Sequence, residues 1–89
     1  MALTLDDLRT QLEALDHLPG TTPVVLAKDG EGNGFSPLTE AEPAMYAADT
    51  TWSGERYLTE EQRQATGAPD EWSEAPDDAV AALFLWPVN

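Results

Sequence analysis

One stretch constrains the fold more than any other. It runs from Pro23 to Leu38 and reads P-V-V-L-A-K-D-G-E-G-N-G-F-S-P-L. Its first half holds Val24 and Val25, the only adjacent pair of apolar β-branched residues in the chain, which favours a strand. Glycines then alternate with acidic or amide residues over positions 29–34, which allows the chain to reverse direction. The segment therefore predicts a strand, a wide acidic turn and a returning strand.

The chain can build only a small apolar core. Leu, Val and Phe together account for 17 of the 89 residues, and Ile is absent. This share is close to the level of roughly 20% below which a highly charged chain tends to be disordered. Three Trp and two Tyr add large apolar surfaces. We therefore expect one folded domain over residues 1–89, with its weakest order in the polar middle of the chain.

Two helices are predicted. Residues 4–18 have leucines at 5, 8, 12 and 15, a helical spacing that places them on one face. Thr4 and Asp7 fit a capping box at its start, and Pro19-Gly20 ends it. Thr59 and Gln62 fit a second capping box before a short helix ending near Ala65, which we expect to be exposed or frayed because it has almost no apolar face.

Apolar runs predict the strands. Val24–Lys28 and Val80–Trp86 are each short and bounded by turn residues, and we expect them to pair centrally with the leucine face of the first helix packed across them. Residues 44–58 predict an irregular hairpin. The fold class is therefore α+β, an N-terminal amphipathic helix packed on a small antiparallel sheet, with a long irregular acidic loop region.

The connections are predicted from turn-forming residues. Ser36-Pro37 predicts a bend, and Thr39–Pro43 is polar and turn-like. Residues 68–78 predict a loop with five acids and one tryptophan. That tryptophan, Trp72, either docks on the core as a peg or serves as an exposed anchor for a partner.

The net charge of −13 limits the classes of partner. The chain has seventeen acidic and only four basic residues, so DNA, RNA and anionic lipid repel it. We therefore expect no direct nucleic-acid or membrane binding. A basic protein surface or a divalent cation would be attracted, although acidity can also serve solubility alone. The chain lacks cysteine, a basic leader and an apolar run near ~20 residues, which predicts a cytoplasmic location.

A calcium-loop pattern overlaps the central turn. Calcium prefers oxygen ligands at alternate positions, a glycine at the sharp turn and a late bidentate acid. Positions 1, 3, 5 and 12 of such a loop correspond to Asp29, Glu31, Asn33 and Glu40. The context differs from a helix–loop–helix, because the loop follows a strand and no second loop exists. The alternatives are a calcium site and a plain acidic turn, and we expect no other cofactor.

No catalytic residue is predicted. His17 is the only histidine and lies near the end of the first helix, where it is separated from every serine by a change of element. The glycine-rich loop lacks a G-K-[ST] ending, and its carboxylates would repel phosphate. We therefore expect a protein that is not an enzyme.

Acids interspersed with aromatics predict a partner-binding surface. Ordered acids can imitate a phosphate backbone and occupy a basic groove, while aromatic side chains supply desolvated anchors. The residues that combine these features are Trp52, Glu55, Tyr57, Glu60, Glu61, Asp70, Glu71, Trp72 and Glu74.

The stretch V-V-L-A-K-D-G-E-G-N-G-F-S-P-L, with the leucine helix before it and M-Y, W-S-G-E and L-F-L-W-P-V after it, resembles small acidic uncharacterised proteins of GC-rich bacteria and their bacteriophages. The resemblance covers most of the chain. It implies a viral or mobile-element context and, by analogy, a protein that binds and inhibits a host protein, as a DNA mimic does.

Overall fold

The computed structural model describes residues 3–89. In chain order the elements are α1 (Leu5–Glu13), β1 (Val25–Ala27), β2 (Phe35–Ala48), β3 (Gly54–Tyr57), α2 (Glu60–Ala65), a 3-10 helix (Pro69–Glu71) and β4 (Val80–Pro87). β2 pairs antiparallel with β1 and with β3, and β4 also pairs with β2. This confirms the α+β class and the small antiparallel sheet. None of the helices described here is long and apolar enough to cross a membrane.

β2 is longer than the sequence predicts. The predicted bend at Ser36-Pro37 and the predicted turn at Thr39–Pro43 both lie within this 14-residue strand, so those two predictions are wrong. Pro37 lies opposite Val25 of β1, and its carbonyl accepts a hydrogen bond from the Val88 amide at 2.8 Å. Non-local backbone pairing thus outweighs the local preference of serine and proline for turns.

The predicted central pairing of β1 with β4 is also wrong, because each of these strands pairs with β2 instead. The residues between β1 and β2 form a short turn, which the amide of Lys28 closes by donating to the Gly34 carbonyl at 2.9 Å. Closing such a short loop costs little entropy, and consecutive strands usually pair for that reason.

The chain divides into two compact units. Unit 1 comprises residues 3–40 together with Trp86–Asn89, and unit 2 comprises Ala41–Leu85. The single domain predicted over 1–89 stays a prediction.

In unit 1, α1 begins at its predicted cap. The Thr4 amide donates to Asp7 Oδ2 at 3.0 Å, and the Asp7 amide donates to Thr4 Oγ1 at 3.2 Å, which confirms the capping box. The helix ends at Glu13 rather than near Leu18. No α1 residue is buried, so the leucine face is not covered as predicted. β1 is only three residues long, so it offers little apolar surface against which a helix could pack.

In unit 2, the predicted hairpin over 44–58 is confirmed by the pairing of Met45 with Tyr57 and of Ala48 with Gly54. Ala44 is fully buried. The rings of Tyr46 and Phe84 meet edge-to-face with centroids 6.3 Å apart. Polar contacts supplement these apolar ones.

α2 also begins at its predicted cap, with the Gln62 amide donating to Thr59 Oγ1 at 3.0 Å. Gly67 ends this helical region at φ +78°, a conformation that favours glycine. The helix was expected to be exposed or frayed, yet it carries the buried side chain of Arg63. After the 3-10 helix Pro69–Glu71, residues 72–79 form neither helix nor strand.

Candidate partner-binding surface

Arg63 connects α2 to the chain that follows it. Its Nε donates to the Trp72 carbonyl at 3.1 Å, and its Nη2 donates to the Pro69 carbonyl at 2.8 Å. Its Nη1 donates to Glu60 Oε2 at 2.6 Å and lies 3.7 Å from Glu74 Oε1. Charge-assisted hydrogen bonds of this kind are stronger than neutral ones. A single guanidinium therefore orders the acidic segment around Trp72.

Glu60 is held on the surface by two donors. Gln64 Nε2 donates to Glu60 Oε1 at 2.9 Å, in addition to the contact from Arg63. The hydrogen bond from Gln64, followed by that from Arg63, lowers the pKa of the Glu60 carboxyl below its usual value. Glu60 therefore stays ionised under mildly acidic conditions.

A second arginine organises the sheet side of unit 2. Arg56 Nη2 donates to Glu42 Oε1 at 2.7 Å, with both side chains about one-third exposed. The Arg56 guanidinium also lies over the Phe84 ring, 5.6 Å from its centroid. These contacts offset much of the Arg56 charge within the protein.

A shallow groove of about 280 Å³ lies between the end of β3 and the segment after the 3-10 helix. Its lining residues are Arg56, Tyr57, Leu58, Glu71, Trp72 and Ser73. Trp72 is 50% exposed, so it is neither the buried peg nor the fully open anchor that the sequence offered as alternatives. The groove offers apolar and aromatic surface beside a carboxylate, a combination suited to holding a side chain of another protein.

The structure brings together part of the predicted partner-binding set. Tyr57, Glu71 and Trp72 line the groove. Glu60 and Glu74 contact Arg63. The remaining members are exposed elsewhere in unit 2, at the β2–β3 turn, on β3, in α2 and in the 3-10 helix, and they are Trp52, Glu55, Glu61 and Asp70.

The prediction from sequence missed the groove residues Arg56, Leu58 and Ser73, and it missed Arg63. One signal was available. Arg56 and Arg63 are the only basic residues after Lys28, in a half of the chain that is rich in acids. An isolated arginine among many carboxylates is a natural centre for ion pairs and carbonyl contacts.

The predicted calcium ligands are only partly brought together. Asp29 Oδ1 accepts the amides of Glu31 at 2.9 Å and Asn33 at 3.2 Å, and its Oδ2 accepts Asn33 Nδ2 at 3.1 Å. Glu40 lies on β2, five residues past Phe35, which places it about 17 Å further along the strand. Within residues 3–89 no group of three His, Cys, Asp or Glu side chains converges on a site that could hold a metal ion. Calcium binding stays a prediction.

The hydrogen bonds to Asp29 also change its titration. Its pKa lies below the usual value because the backbone amide of Asn33, the side-chain amide of Asn33 and the amide of Glu31 all stabilise the ionised carboxylate. The Asp29 carboxylate thus holds the loop closed through hydrogen bonds to Glu31 and Asn33. The same carboxylate oxygens would have to be shared with a bound cation.

No protein-family model, curated protein or solved structure matches the chain. The resemblance to acidic bacterial and phage proteins stays a prediction.

Proposed function

We propose that this chain is a non-enzymatic, acidic interaction protein whose unit 2 binds a basic surface of another protein. The observation that carries the proposal is the ordering of acids around a half-exposed tryptophan by the buried Arg63. A surface of this kind combines long-range attraction for a basic partner with a local aromatic anchor.

The charge distribution supports this proposal. Unit 2 has two arginines, and both are engaged in contacts within the unit, at Glu42 and at Glu60. Its exposed acids include Glu61, Asp70 and Glu71. Because the two arginines pair with other carboxylates of the unit, they do not neutralise these three acids. The acids remain available to a cationic partner, and electrostatic steering would accelerate the association.

The resemblance to phage proteins extends the proposal to a partner class. The partner would be a host protein whose basic groove normally holds nucleic acid, and the chain would inhibit it by occupying that groove as a DNA mimic. Carboxylates on an ordered scaffold would replace phosphates, and Trp72 would make the desolvated contact.

A capture experiment with charge-matched variants tests this proposal. The full-length tagged chain is incubated with lysate of the bacterial host and washed at about 50 mM or about 500 mM NaCl, conditions that differ strongly in electrostatic screening. We expect one stoichiometric partner that is retained at low salt and lost at high salt.

The variants locate the surface. Asp70→Asn/Glu71→Gln removes two charges beside the groove, and Trp72→Ala removes the aromatic anchor. Glu13→Gln/Asp16→Asn removes the same charge from unit 1. We expect the first two variants to weaken capture and the third to resemble the wild type. No stoichiometric partner at either salt, or equal loss in both charge variants, would contradict the proposal.

A further inference from the structure

The lining of the groove in unit 2 combines three kinds of surface. Tyr57 and Trp72 supply aromatic surface, Leu58 supplies aliphatic surface, and Glu71 supplies a carboxylate. The volume of the groove, about 280 Å³, lies just below the ~300 Å³ at which sites for drug-sized ligands begin. The groove therefore suits one long side chain of another protein better than a large organic cofactor.

The charges at the groove select a cationic side chain. Arg56 is the only basic lining residue, and its guanidinium is already paired with Glu42 at 2.7 Å. Within residues 3–89 Glu71 has no ion-pair partner, and the preceding residue, Asp70, is a second exposed acid. The charge that remains for an incoming group at the groove is therefore negative.

Unit 2 already holds one guanidinium by a carboxylate and an aromatic ring. Arg56 Nη2 lies 2.7 Å from Glu42 Oε1, and the Arg56 guanidinium lies 5.6 Å from the centroid of the Phe84 ring. The groove offers the same pair of partners a second time, in Glu71 and Trp72. A planar guanidinium can stack on a ring while its edge donates to a carboxylate, and it is more weakly hydrated than an ammonium group. These surroundings therefore favour arginine over lysine.

We propose that the groove binds an arginine side chain of the partner, an inference that rests on the proposed function and names the group recognised there. The methylene stem would lie along Leu58 and Tyr57. The guanidinium would stack on Trp72 and donate to Glu71. The backbone at Trp72 is already held, because its carbonyl accepts a hydrogen bond from Arg63 Nε at 3.1 Å. Binding would therefore require little further ordering of this segment, which favours affinity.

Titration of the isotope-labelled full chain with N-acetyl-arginine amide, followed by two-dimensional NMR at about 150 mM NaCl, tests the proposal. We expect saturable shifts concentrated at the Trp72 indole N–H and at the backbone amides of Leu58 and Ser73. The dissociation constant should be about 1–10 mM, the order expected for so small a ligand.

Two further probes separate the contributions of charge and shape. N-acetyl-citrulline amide has nearly the same shape as the arginine probe but no charge, and it should bind at least about tenfold more weakly. N-acetyl-lysine amide has the same charge but no planar group, and it should bind at least about threefold more weakly.

Three variants locate the site. Glu71→Gln removes the carboxylate charge and keeps the side-chain shape, while Trp72→Leu removes the ring and keeps an apolar side chain. We expect each to weaken binding of the arginine probe by at least about fivefold. Glu61→Gln removes the same charge from an exposed α2 position outside the groove, and it should change the affinity by less than about twofold. Circular dichroism verifies that each variant is folded.

Several outcomes would overturn the proposal. Equal affinity for the arginine and citrulline probes would do so, and so would equal affinity for the arginine and lysine probes. Shifts spread over the acids of both units, or unchanged affinity in both groove variants, would also overturn it. The titration does not require the partner, so its failure is distinguishable from failure of the capture experiment. A captured partner combined with no binding of the arginine probe would contradict this inference alone.

Discussion

Units 1 and 2 each contain two of the four basic residues, yet they use them differently. In unit 2, Arg63 is buried among carbonyl and carboxylate oxygens, and Arg56 bridges a carboxylate and an aromatic ring. In unit 1, Arg9 is 65% exposed, and its ion-pair partner among residues 3–89 is its helix neighbour Asp6, at 3.4 Å. A few well-placed cations can thus order an acid-rich segment, whereas the same residue type on a helix surface contributes little.

The largest expected effect is at Arg63. Arg63→Met keeps much of the side-chain volume but removes the hydrogen bonds to Trp72, Pro69 and Glu60. We expect a loss of about 3 kcal/mol in the free energy of unfolding, because two carbonyl oxygens and a carboxylate lose a charge-assisted donor. Urea unfolding measures the loss, and Trp fluorescence should shift to the red as the segment around Trp72 loosens.

Arg9→Met is the matched control in unit 1, with an expected change within about 0.5 kcal/mol. Arg63→Lys should recover little, because a compact ammonium group cannot reproduce the planar fork of separate nitrogens that contacts all three acceptors. Equal losses for Arg63→Met and Arg9→Met would break the contrast between the units.

The next effect is at Gly54, where β3 meets the ring of Tyr46. A Cβ at position 54 would lie 2.5 Å from both the Ala47 carbonyl oxygen and Tyr46 Oη. Gly54→Ala should therefore destabilise the protein by about 2 kcal/mol through overpacking. Gly30→Ala in unit 1 is the control, because its Cβ would meet no atom within 4 Å. Chemical denaturation should show a clear loss in the free energy of unfolding for Gly54→Ala and little change for Gly30→Ala.

A smaller effect is expected at Asp29. Its folded pKa is lowered, so its contribution to stability is present above the unfolded value, near pH 4, and is lost as the pH falls through the folded pKa. Asp29→Asn should lower the Tm slightly at pH 7, and the difference from the wild type should vanish in strong acid. A difference that persists at low pH would show that the ionised carboxylate is not its source.

Calcium should have the smallest effect. Since Asp29 already accepts three hydrogen bonds and Glu40 lies along β2, we expect the Tm to stay unchanged in millimolar calcium. Differential scanning fluorimetry of the wild type and Asp29→Ala tests this expectation. A calcium-dependent rise in Tm that is absent from Asp29→Ala would support the calcium-site hypothesis and would require Glu40 to approach the loop.

The secondary-structure elements whose signals lie in neighbouring residues were predictable from the sequence. Both capping boxes depend on residues three positions apart, and both occur where predicted, at Thr4 and at Thr59. The strands β1 and β4 and the hairpin over 44–58 follow from short apolar runs and the turns that bound them. Such signals depend only on neighbouring residues, so a single sequence contains them.

The site was predictable only in part. Tyr57, Glu71 and Trp72 were chosen because aromatics and acids mark interfaces, and they do line one groove. Trp52 shares the same chemistry but lies at the β2–β3 turn, 84% exposed. Composition identifies the residue types of a binding surface, but the path of the chain decides which of them meet.

The sequence alone determines where the two helices begin, that the segments of β1 and β4 are extended, and that the chain carries a net charge of −13. Three features emerge only in the folded chain: Ser36-Pro37 continues a strand, β4 pairs with β2 rather than with β1, and Arg63 is buried. The difference lies in the range of the forces involved. Caps and turns act within about four residues, whereas strand pairing and the desolvation of an arginine depend on groups that only the fold brings together.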